Sequence, residues 1–171
     1  MVHTDRLANG SRHEIVVGVN GSPAAAEAIR WAAEQSRISG MPLRMVHAWQ
    51  MPAGQVLAAD SGFWEASVAD TRARATRWVL DALGGTAAAV PWVLDIVEGP
   101  PGPVLVSRSQ EAALLVLGTR EHVGMRRVLV GSVSHHCLTH AHAPVVAIPV
   151  PELEPEEAGP SGAFTTPGPL L

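Results

Sequence analysis

The residues best suited to chemistry lie between Leu114 and Ser134, in the run LLVLGTREHVGMRRVLVGSVS. Gly118 ends a short apolar stretch. Arg120, Gly124, Arg126 and Arg127 follow in a basic loop, and Gly131-Ser132 opens a segment of helical pattern. Glycines let backbone N–H groups come close to an oxyanion. The first turn of a helix aims its unpaired N–H groups and its dipole at the same place. The chemistry implied is phosphate binding. Arg120 and the backbone of Gly131, Ser132 and Val133 are the expected donors, with the hydroxyls of Ser132 and Ser134 adding contacts. One of these serines is also expected to cap the helix. The spacing from Gly118 to Gly131 is too long for a P-loop, and the chain contains no lysine, so Walker-type chemistry is excluded.

Two other groups of residues invite a chemical reading. Asn20-Gly21-Ser22 ends the first apolar run, and asparagine before glycine suits a tight turn. His135, His136, Cys137, His140 and His142 cluster late in the chain. His136 and His140 are four apart and share a helix face. Two histidines and a thiol without a fixed further partner do not define a metal site, and Cys137 reads as a small core residue. No metal ligand is assigned. No Ser-His-Asp order or paired-carboxylate pattern emerges, so no catalytic residue is assigned either.

The elements that must position these residues alternate in type. Glu14 to Val19 is a near-continuous apolar run, as for a strand buried on both faces. Ser22 offers an N-cap and Pro23 a first helical position for a helix to about Ser39, which Gly40 stops. Strands are expected over Leu43 to Trp49, Ala88 to Val97, Leu114 to Gly118 and Val145 to Ile148. Helices are expected over Phe63 to Leu83, Pro103 to Ser109 and Ser132 to His140. Arg72, Arg74 and Arg77 read as a solvated helix face. Alternating strands and helices make an α/β fold, a doubly wound parallel sheet with helices on both faces. Residues 1–13 read as a disordered arm, 14–150 as one domain, and 151–171 as a disordered tail rich in Pro, Gly and Glu.

The charge balance bounds function further. A formal net charge of −4 does not suggest a nucleic-acid partner. The N-terminus lacks an apolar signal core, no segment has the length of a membrane span, and one cysteine cannot form an intrachain disulfide. The expectation is a cytoplasmic protein with no membrane contact.

The glycine loop resembles the C-terminal signature of the universal stress protein family, G-x2-G-x9-G-[S/T]. Gly118 matches the first glycine and Gly131-Ser132 the end, while Glu121 stands at the middle glycine. The opening Ile15-Val-Val-Gly-Val-Asn-Gly-Ser-Pro23 is similar to the family's first strand and turn, with Asn20 where Asp is usual. The resemblance runs from about Glu14 to Pro149. It implies five strands in the order 3-2-1-4-5, an adenine nucleotide alpha hydrolase-like fold. It also implies a crevice where strands 1 and 4 lie side by side. It implies that the backbone of Val46-His47-Ala48 faces adenine, that Asn20 stands where the ribose is held, and that Gly18, Val19, Gly21 and Ser22 belong to the same nucleotide site. Phosphates then lie against Arg120, Gly131, Ser132, Val133 and Ser134, with Leu117, Gly118, Glu121 and Gly124 in the same nucleotide site. The implied ligand is ATP, with or without Mg²⁺. The implied role is a stress or signalling module with at most slow ATP hydrolysis, and the implied assembly is a homodimer through the last strand. Asn20 keeps one acceptor oxygen for a ribose hydroxyl, or serves only its turn. Glu121 repels a triphosphate, points to solvent, or holds the metal ion. The alternative is the same fold without nucleotide, acting through a dimer or partner surface.

Overall fold

The apolar runs form one sheet. The computed structural model describes residues 14–51, 61–121 and 131–151. Strands β1 (Ile15–Gly18), β2 (Leu43–Trp49), β3 (Trp92–Glu98), β4 (Leu114–Glu121) and β5 (Val145–Pro151) pair in the order β3-β2-β1-β4-β5. Every pair is parallel, in agreement with the order that the resemblance implies. The helices among the described residues are α1 (Pro23–Ser39), α2 (Ser61–Leu83), α3 (Pro101–Arg108) and α4 (Ser132–His140).

Successive strand residues point to opposite faces, so central strands must be apolar throughout. Ile15, Val17, Leu43, Met45 and Val116 face one way and pack under α1 and α2, against Ala28, Ile29, Ala32 and Val79. Val16, Val46, Leu115 and Leu117 face the other way and pack under α3 and α4, against Val104, Leu105 and Cys137. The ends of α1 follow from its flanking residues. The Ser22 hydroxyl accepts from the Ala25 N–H at 3.2 Å, and Gly40, at φ 73°, closes the helix by donating to the Ser36 carbonyl.

Several boundaries differ from the sequence expectation. β3 begins at Trp92 rather than Ala88. The preceding alanines have poor β propensity and stay in a turn, where the Ala89 N–H donates to the Thr86 carbonyl at 2.9 Å. The Trp92 indole N–H holds that turn by donating to the Ala87 carbonyl at 3.2 Å. β4 and β5 continue past Gly118 and Ile148, through the rungs Thr119↔Pro149, Arg120↔Val150 and Glu121↔Pro151. Glu121 therefore ends a strand, in extended backbone that suits a residue with a Cβ, where the family signature has a glycine. α3 starts at Pro101, whose missing N–H costs nothing in a first helical turn. The arm at 1–13 and the tail beyond 151 lie outside the described residues.

Candidate functional site

The strand order sets the carboxyl ends of β1 and β4 side by side, while the connections that leave them run to opposite faces: α1 to one, α4 to the other. That is the switch point at which open α/β sheets hold ligands. A crevice of about 150 Å³ opens there. Gly18, Val19 and Asn20 line it from β1, Ala48 from β2, and Leu117 with Gly118 from β4. Val133 and Ser134 close it from α4. Sequence reasoning missed the wall made by Pro101 and Leu105 of α3. The signal was present in Gly99-Pro100-Pro101, which starts a helix directly after a strand.

The turn from β1 to α1 is built from its own side chains. The Asn20 Oδ1 accepts from the Ser22 N–H at 3.1 Å and from the Ser22 hydroxyl at 2.7 Å. Asn20 thus serves the turn, and its acceptor oxygen is engaged. Gly21 has φ 74°, and a Cβ there would come within 2.5 Å of the Trp78 indole. His47 meets that indole edge to face, with ring centroids 5.5 Å apart. Its Nδ1 lies 2.7 Å from the Val19 carbonyl, so Nδ1 carries the proton, since a carbonyl only accepts. Gly21 and Ser22 therefore do not line the crevice. They face a separate 340 Å³ cleft between α1 and α2, and their part in the site is to shape the turn beneath it.

The glycines of the β4–α4 half have different reasons for being there. A Cβ on Gly118 would overlap the Ala24 carbonyl group of α1, so this glycine is required by close strand–helix packing. Gly131 has φ −145°, and among the described residues a Cβ there meets only the Ser134 side chain, its hydroxyl at 3.4 Å. Among the described residues, neither backbone nor packing demands its lack of a side chain. Gly131 is itself the N-cap of α4, and no side chain among the described residues caps the helix, which corrects the expectation that Ser132 or Ser134 would do so. A capping oxygen must come from the residue just before the first turn, and that residue is a glycine. Among the described residues no side chain accepts from the first-turn N–H groups of Ser132, Val133 and Ser134. On β4, next to Gly118, Thr119 is 3% exposed and its hydroxyl has no hydrogen-bond partner among the described residues. It shares its strand face with Leu117, one step nearer the strand end. Such orphans are rare in folded proteins. The side chains of Arg120 and Glu121, and the whole of Gly124, lie outside the described residues.

The late histidines are organised differently. His136 and His140 do share a face, with rings stacked at 4.3 Å and 16°. Near-parallel rings aim their lone pairs in separate planes rather than at one ion. Among the described residues no group of three metal-binding side chains forms. Cys137 is fully buried under α3, its S–H directed at the Gly102 carbonyl at 4.0 Å, and burial pushes its thiol up to about 11. A raised thiol pKa in the folded state favours the protonated form. Its contribution to stability is complete below the ordinary value near 9 and is lost as pH rises from about 9 to about 11. Alkylation of Cys137 at pH 8 should be about a hundredfold slower in the native protein than in urea, because two units of pKa set the thiolate fraction. Equal rates in the two states would show that the thiol is accessible.

A sequence model described as the universal stress protein family matches residues 11–149. This chain belongs to that family. Universal stress protein Rv2623 of Mycobacterium tuberculosis is 32% identical over 153 residues, covering 78% of this chain and 46% of its own. The chain spans about half the length of the curated relatives it matches. Among solved structures, the universal stress protein UspA from Lactobacillus plantarum aligns with TM-score 0.61 at 22% identity, over 82% of this chain and 99% of that one. A universal stress protein from Archaeoglobus fulgidus in complex with dAMP gives 0.56 at 21%, over 79% and 96%. A family member from Arabidopsis thaliana with AMP bound gives 0.54 at 20%, over 80% and 90%. Family membership makes Asn20 and Glu121 departures from the pattern described above, one in the β1 turn and one at the end of β4.

Proposed function

We propose that this domain is an adenine-nucleotide-binding module of stress response or signalling, with ATP as its ligand. The observation that carries the reading is the anion end of the crevice. There, among the described residues, no side chain caps the first turn of α4, and nothing requires the residue before it to be a glycine. The strand that lines the crevice with Leu117 and Gly118 also carries the Thr119 hydroxyl, which is buried and has no partner among the described residues. These groups suit a phosphate: N–H donors, a favourable dipole, and room where a Cβ would intrude. Phosphates over β4 and α4 leave the sugar over β1 and the base over β2 at Ala48, since β1 lies between its neighbours. The bound dAMP and AMP of the Archaeoglobus and Arabidopsis proteins support the ligand class. Binding rather than turnover is the proposed activity. A cytoplasmic location belongs to the same reading; no helix among the described residues is long and apolar enough to cross a membrane.

The second reading is the same fold without nucleotide, acting through a protein surface. Two observations favour it: the Asn20 oxygen is already engaged by Ser22, and Glu121 replaces a glycine of the signature. Thermal-shift measurements with ATP, AMP and cyclic AMP, with and without Mg²⁺, separate the readings. The first requires a rise in melting temperature with at least one of them. No rise with any supports the second.

Glu121 gives a finer test. A like charge a few ångströms from a phosphate costs on the order of 1 kcal/mol near water. Glu121→Gln is therefore expected to raise ATP affinity about fivefold and AMP affinity less. A fall in ATP affinity seen only with Mg²⁺ would mean that the carboxylate binds the metal ion instead.

A further inference from the structure

The ladder between β1 and β2 stops one rung short of where it could continue. In a parallel pair, each bonded residue turns both its N–H and its C=O toward the same neighbour, and the next residue turns both away. The Ile15 N–H donates to the Pro42 carbonyl and the Val19 N–H to the Val46 carbonyl, both at 2.9 Å. Val19 therefore turns toward β2, and Ala48, two residues beyond Val46, turns toward β1. The Gly99 N–H donates to the Trp49 carbonyl at 2.9 Å, so Trp49 turns toward β3 and the phase is confirmed. The next rung would run from the Ala48 N–H to the Val19 carbonyl. It is not made, and the last residues paired between the two strands are Gly18 and Val46. The Val19 carbonyl accepts from the His47 Nδ1–H instead, at 2.7 Å. Among the described residues, the Ala48 N–H and C=O thus have no partner in the sheet, and Ala48 lines the crevice.

The His47 ring is braced from the other side of the sheet. Its side chain leaves β2 on the face opposite to that of Ala48. The Trp78 indole of α2 meets it there edge to face, with centroids 5.5 Å apart. The same indole fills the space that a Cβ on Gly21 would take, so His47 is held between α2 and the start of the β1–α1 turn.

We propose that His47 is a positioning residue for base recognition: by occupying the Val19 carbonyl it keeps the Ala48 N–H and C=O open to the base of a nucleotide. This role rests on the nucleotide reading of the crevice. The edge of adenine presents an acceptor at N1 and a donor at its 6-amino group, which match an N–H and a C=O. Hypoxanthine presents a donor and an acceptor in those places, and a site built for one pattern rejects the other. Without the imidazole, the Val19 carbonyl loses its partner. Accepting from the Ala48 N–H satisfies it again, closes the rung and removes the donor from the crevice.

Two variants of the full chain separate the donor from the ring. His47→Leu keeps apolar bulk without a donor, and His47→Asn sets an amide N–H near the position of Nδ1. In hydrogen exchange without ligand, the Ala48 amide is expected to exchange about tenfold more slowly in His47→Leu than in wild type or His47→Asn. Loss of stability alone would speed exchange, so it cannot imitate this result. In calorimetric titrations with ATP and inosine triphosphate, wild type and His47→Asn should prefer ATP. His47→Leu should bind ATP about tenfold more weakly and lose most of the preference. Exchange at Ala48 that does not slow in His47→Leu, or an unchanged preference in folded His47→Leu, would overturn the role of His47 and leave the nucleotide reading standing. A wild type that binds neither nucleotide would overturn that reading and the recognition role together.

Discussion

Gly118→Ala is expected to destabilise the domain by about 3 kcal/mol or more, enough to unfold much of a marginally stable protein. The added methyl group has no room, because it would coincide with the Ala24 carbonyl and crowd the Ala25 nitrogen. Both belong to the backbone of α1, so no side-chain rotation relieves the overlap. The helix would have to move off β4, and the buried stripe of Ala25, Ala28 and Ile29 would move with it. Gly18 makes a useful contrast. A Cβ there meets the end of the Leu117 side chain at 2.9 Å, which can turn aside. Urea denaturation followed by circular dichroism should therefore show a much larger loss for Gly118→Ala than for Gly18→Ala. Equal, small losses would mean that the β4–α1 contact is looser than the structure shows.

Gly131→Val is expected to behave in the opposite way. Its extended backbone accepts a β-branched residue, and among the described residues the only neighbour is the Ser134 side chain. Valine is a poorer N-cap than glycine, so a stability loss of about 1 kcal/mol is expected. The effect on ligand should be far larger. The valine side chain stands in front of the first-turn N–H groups of α4, where the account places a phosphate. Affinity for ATP should fall tenfold or more. Together the two glycines separate a role in folding from a role in binding, although the family signature treats them alike.

Much of the fold was legible because apolar runs, glycine stops and the Ser22-Pro23 helix start are local signals. The strand order came through the resemblance, carried by Gly118 and Gly131-Ser132. What failed was either cooperative or distant. β4 and β5 lengthen each other by mutual pairing past Gly118, which neither strand shows alone. Arg44 binds Glu14 at 2.8 Å and Asp95 at 3.0 Å, partners 30 and 51 residues away in sequence. The site was read in its position and only partly in its roles. Asn20 and Ser22 could be assigned to a turn, but Gly21 could not be matched to Trp78, which lies on another helix. The start of α4 was misread because its serines look like caps but fall one and three positions after the N-cap, Gly131. Thr119 was overlooked because a threonine beside Gly118 reads as strand filler until its burial without a partner is seen.

The central claim is that the crevice between β1 and β4 binds an adenine nucleotide with its phosphates at the start of α4. Calorimetric titration of ATP into the wild-type chain, in parallel with folded Gly131→Val, tests it most directly. The account predicts saturable one-site binding to the wild type and at least tenfold weaker binding to the variant. Equal affinities for the two proteins would place any nucleotide elsewhere, and no heat of binding to the wild type with ATP, AMP or cyclic AMP would contradict the claim outright.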